Sequence, residues 1–163
     1  MEVGIFGVTI SLVWIHVGVL FLLIPIILFA DHEGFSWVRG KKETLNEKVM
    51  TVLHRLVWAG LIAMIATGAI MFWPLKDYLL YTPAFYAKMF FVFVLVVNSF
   101  FINRFMRVAL ERPYVSLTQE ERRPLFISGA VSTISWVGAV VAALGMQVSG
   151  PLTNILARIM DML

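Results

Sequence analysis

VGIFGVTISLVWIHVGVLFLLIPIILFA, residues 3–30, carries no Asp, Glu, Lys or Arg. A membrane span needs roughly 20 apolar residues, and this run exceeds that. Its continuous apolar character, without alternation, selects a helix over a barrel strand, because backbone polar groups in lipid must be satisfied internally. His16 stands near the middle of the run. An ionisable side chain at that depth is costly and is usually retained for a function or a specific partner.

Three more runs extend the pattern, at about residues 49–73, 84–106 and 125–146. The 163-residue chain is 60% hydrophobic and 14% charged, with a mean hydropathy of +0.88. A soluble domain of this size cannot hide so much apolar side chain in one core. The expected fold is therefore all-α and integral to a membrane, a single domain forming a four-helix bundle. After Gly150-Pro151, Leu152, Ile155, Leu156, Ile159 and Met160 recur at helical spacing. They predict a short amphipathic surface helix over about 152–162. Pro25 is expected to kink or tilt the first span. The N-terminus lacks a basic leading region and its apolar run is too long for a signal peptide, so the first segment is expected to stay as a helix.

Charge sets the expected orientation. Arg39, Lys41, Lys42 and Lys48 lie in the first loop, and Arg107, Arg112, Arg122 and Arg123 in the third. The loop around Pro74–Pro83 offers only Lys76, and the C-terminal tail only Arg158. By the positive-inside rule the first and third loops face the cytoplasm and both termini face out, as in a bacterial inner membrane. The small basic excess, +3, is then a topology signal, and no nucleic-acid partner is expected. The absence of cysteine excludes disulfides, thiolate metal sites and cysteine-bound iron–sulfur clusters.

The candidate chemistry rests on His16 and His54, because imidazole is the commonest metal and haem ligand among side chains. At about 1.5 Å per residue, His16 lies about 21 Å from the cytoplasmic end of its span and His54 about 8 Å from that end. The mismatch of about 13 Å argues against both binding one iron. His16 is a cofactor ligand or proton-handling residue, or else a buried histidine bonded to a hydroxyl or carbonyl of a neighbouring helix. His54 is a second ligand or substrate contact, or it snorkels with Arg55. Lys88 either neutralises an anion such as a haem propionate or reaches the headgroups. Trp58, one turn from His54, either walls a flat cofactor or packs in the core. Trp37 and Trp73 read as interface anchors. Asp31-His32-Glu33 cannot all face one point on a helix and are expected in a solvated interface. Ser128, Ser132 and Ser135, continuing to Ala139 and Ala142, form a small-residue stripe suited to close helix packing. Thr118 and Glu121 have capping-box spacing.

The segments Leu53-His54-Arg55-Leu56, Ile65-Ala66-Thr67-Gly68 and Phe85-Tyr86-Ala87-Lys88-Met89 resemble the second and third helices of HemJ/CopD-type small membrane haem-associated proteins. The likeness covers about the first two-thirds of the chain. HemJ-type proteins also carry a histidine further along the third helix, where this chain has Asn98-Ser99. The resemblance implies a b-type haem or porphyrin used for electron transfer or porphyrin oxidation, in the manner of a protoporphyrinogen oxidase. The expected partners are membrane lipids, with a quinone, another membrane subunit or a second copy of the chain as further candidates. The alternative is a non-enzymatic accessory or assembly subunit of a larger membrane complex. A relay transporter using His16 is a third reading, for which four helices make a thin path.

Overall fold

The computed structural model describes residues 2–160, with side chains for 11–146 other than 103 and 105. All regular structure among the described residues is helical. The elements are α1 (Glu2–Val38), α2 (Glu47–Leu79), α3 (Pro83–Glu111), a 3₁₀ turn (Tyr114–Ser116) and α4 (Gln119–Met160). Four stretches are long and apolar enough to cross a membrane: Ser11–Val38, Glu47–Leu79, Pro83–Ile102 and Gln119–Met146.

The helices outrun the expected spans because prolines do not stop them. Pro25 lies inside α1 and Pro74 inside α2. Each removes one backbone donor, and the helix continues on either side. The same holds at Pro151. Instead of a separate helix at 152–162, α4 runs unbroken through Gly150-Pro151 to Met160. The amphipathic face proposed there lies outside the described residues. α1 passes the expected end at Ala30 and stops at Gly40, whose φ of 70° is left-handed and favours glycine. Gly40 N–H donates to Trp37 O at 2.9 Å and Lys41 N–H to Ser36 O at 2.9 Å, a Schellman ending that satisfies the last carbonyls. α4 begins with the expected box. Thr118 N–H donates to Glu121 Oε2 at 2.8 Å, and Glu121 N–H returns to Thr118 Oγ1 at 3.4 Å.

Packing divides the four helices into two hairpins. α1 lies along α2 and α3 along α4, while contact between the pairs is sparse. In the first hairpin the buried Leu23 of α1 sits against Gly60 of α2, where an added Cβ would collide with the leucine side chain. In the second, a Cβ on Gly138 would stand 2.5 Å from the Phe91 ring. Beside it Asn98 and Ser128 exchange two bonds: Asn98 Nδ2 donates to Ser128 O at 2.9 Å, and Ser128 Oγ donates to Asn98 Oδ1 at 2.9 Å. Ser128, Ser135, Ala139 and Ala142 are all buried, so the small-residue stripe is the packed face of α4.

The hairpins are clasped at the end that carries the basic loops. Trp37, Leu45, Ala109 and Leu117 form a buried cluster there. Trp37 Nε1 donates to Arg112 O at 3.1 Å, and Leu45 N–H donates to Ala109 O at 3.0 Å. Trp37 also meets the Tyr114 ring edge-on at 5.2 Å. Trp37 is thus a buried tie rather than the expected interface anchor, because helix α1 extends far enough to deliver it under the third loop. Trp73 is exposed, with the Lys76 ammonium over its ring. The Asp31-His32-Glu33 triplet separates as its helical spacing requires. Glu33 is buried and paired with Lys42 at 2.5 Å, which corrects the solvated reading for that residue. His32 is exposed and Asp31 faces the space between the hairpins.

If the Leu23–Gly60 approach sets the first hairpin, Gly60→Ala overpacks it and costs about 1–3 kcal/mol. Thermal unfolding in detergent should show a lowered Tm for Gly60→Ala and recovery when Leu23→Ala is added. Gly18→Ala, which meets nothing within 4 Å, should leave the Tm unchanged. Equal effects at both glycines would contradict the assignment.

Candidate functional site

His16 is buried at 9% exposure on α1, facing α2. Its Nδ1 lies 2.7 Å from Thr67 Oγ1. The single hydroxyl hydrogen of Thr67 is already directed into its own helix, at 2.8 Å from Ala63 O and 3.2 Å from Met64 O. A hydroxyl has only one hydrogen to give, so in the contact with His16 the histidine donates. In that arrangement the ring proton sits on Nδ1 and Nε2 carries the lone pair. Nε2 is buried and has no hydrogen-bond partner among the described residues. A histidine with Nδ1–H held by an acceptor and Nε2 bare is arranged as a metal or iron ligand is arranged.

Two neighbours complete this site. Gly68 comes close to the ring, where an added Cβ would stand 3.8 Å from His16 Cε1. Lys88, entering α3, is half-buried, and its ammonium is within electrostatic reach of His16. The ion pairs among the described residues are Lys42–Glu33 and Arg112–Glu121, so Lys88 has no carboxylate partner there. The short Leu80–Thr82 turn between α2 and α3, with Pro83 at the start of α3, places Lys88 in the second turn of α3.

His54 belongs elsewhere. Thr67 and His54 share α2 and are separated by about 20 Å of helical rise, so one iron does not reach both, in keeping with the depth argument. Trp58 Nε1 donates to His54 Nε2 at 3.1 Å, which engages that nitrogen and places the ring proton on Nδ1. Trp58 also packs edge-on against Phe100 at 5.2 Å. Both residues line a cavity of about 620 Å³ between the hairpins, together with Asp31, Ser99, Thr133 and Trp136. His16 is not among its lining residues. The four sequence candidates therefore fall into two places, His16 with Lys88 and His54 with Trp58.

Sequence reasoning did not single out Thr67 as a partner of His16 or Asp31 as a cavity residue. Thr67 is a common helix residue, and only the register between α1 and α2 reveals its role. Asp31 looked like a helix-end residue because the helix was expected to stop at Ala30. Among the described residues no group of three His, Cys, Asp or Glu side chains could hold a bare metal ion.

The geometry fixes a tautomer that can be read directly. Nitrogen NMR of histidine-labelled protein should show His16 protonated at Nδ1 and bare at Nε2. Thr67→Val, which removes the acceptor, should mix the two tautomers. A proton found on Nε2 in the unmodified protein would contradict the arrangement. Comparison of the chain with protein-family models, with curated proteins and with solved structures finds no match.

Proposed function

We propose that this chain is an integral protein of a bacterial cytoplasmic membrane that holds a b-type haem or porphyrin for electron transfer or porphyrin oxidation. The observation that carries this reading is the buried, unpartnered Nε2 of His16 with its tautomer preset by Thr67. A bare ion would need several protein ligands, and none are grouped among the described residues. A tetrapyrrole brings four nitrogen donors of its own and asks the protein for a single axial imidazole.

In this reading His16 Nε2 would hold the iron. Thr67 is a positioning residue that holds the ring and raises its basicity through the Nδ1–H bond. Lys88, which has no carboxylate partner among the described residues, would neutralise a propionate by a charge-assisted bond. When bound, the group supplies one-electron redox chemistry, and the protein contributes orientation, dielectric and the exclusion of water. A quinone or a neighbouring membrane subunit serves as electron partner. The basic loops, with the clasp between them, face the cytoplasm.

The test is the absorption spectrum of protein purified from haem-replete cells. A Soret band should be present, lost in His16→Ala and retained in His54→Ala. Lys88→Gln should weaken haem retention about tenfold, as expected for one charge-assisted bond of roughly 1.5 kcal/mol. Protein without a Soret band that co-purifies with a stable partner would overturn this reading in favour of an accessory subunit.

A further inference from the structure

The cavity between the hairpins is chemically distinct from the His16 site. It lies near the clasped end, where the lower half of α1 and the start of α2 face the end of α3 and the start of α4. At about 620 Å³ it falls in the range of small-molecule pockets, which run from about 300 to 1,000 Å³. Its walls are apolar and aromatic, with Trp58 and Trp136 on facing hairpins.

Charge decides what such a space accepts. Among the described residues Asp31 is the one acidic residue in the lining, and no Lys or Arg lines it. The described ion pairs leave Asp31 without a cation, whereas its near neighbour Glu33 is neutralised by Lys42. The other polar groups are neutral. Thr133 faces Asp31 from α4. Ser99 Oγ is spent on Leu95 O, and His54 Nε2 is occupied by Trp58. A carboxylate at the wall of a low-dielectric, aromatic cavity attracts a positive charge strongly and favours one whose body is apolar.

We infer that this cavity is a binding site for a lipophilic organic cation, an ammonium or phosphonium carrying aromatic or alkyl groups. Its charge sits at Asp31 and its apolar body lies between Trp58 and Trp136. The two hairpins touch little apart from their clasp, so the cavity is open to a ligand arriving from between them. This inference does not rest on haem binding, and either can fail alone.

Equilibrium dialysis of the full chain in nanodiscs tests it, with tetraphenylphosphonium as the probe and triphenylphosphine oxide as its uncharged counterpart. Binding of the cation should be saturable at one site per chain and above the partitioning into empty nanodiscs. Asp31→Asn should weaken it about tenfold or more, the loss of one close charge pair. Asp31→Glu should retain it, and Asp77→Asn, outside the cavity, should leave it unchanged. Ala130→Phe, which fills the cavity and keeps the carboxylate, should abolish binding and so decides the matter even where an Asp31 variant fails to fold. Equal uptake of the uncharged probe, non-saturable partitioning alone, or unaltered binding in Asp31→Asn or Ala130→Phe would overturn the assignment.

Discussion

In lipid, apolar side chains gain nothing by turning inward, so helices apolar enough to cross a membrane are held by close approach and by a few polar contacts. This constraint explains where the structure spends its small residues. Gly60 admits Leu23 and Gly138 admits Phe91, while Asn98 and Ser128 satisfy one another across α3 and α4. Large residues such as Phe21, Leu22, Phe93 and Phe100 stay exposed on the outer faces. Two tight hairpins result, joined mainly through the Trp37 clasp at the basic end.

That division creates both places with chemical potential. Within the first hairpin, register brings His16 onto Thr67, with Lys88 of α3 in electrostatic reach of the ring. Between the hairpins, weak contact leaves a cavity with a single carboxylate. A bundle packed uniformly on all sides would close the second.

The helical class and the four long apolar helices were legible because apolar runs this long admit few other solutions. The capping box at Thr118 and the serine stripe of α4 were legible too, since each depends on spacing within one helix. Helix ends were read less well: Pro74 and Pro151 look like terminators in a sequence, yet helices pass through them when only one donor is lost. The depth separation of His16 and His54 followed from counting along the spans. The Thr67 partner, the Trp37 tie and the exposure of Asp31 to the cavity did not, because each depends on the register between different elements, which no single-helix periodicity encodes.

The proposed role of the first hairpin depends on whether the lone pair of His16 is a ligand. Replacing the side chain with a cavity and supplying free imidazole isolates that one nitrogen from everything else in the fold. His16→Gly purified from haem-replete cells should lack a Soret band and regain it when imidazole is added. A Soret band that persists in His16→Gly without imidazole would contradict the assignment of His16 as the axial ligand.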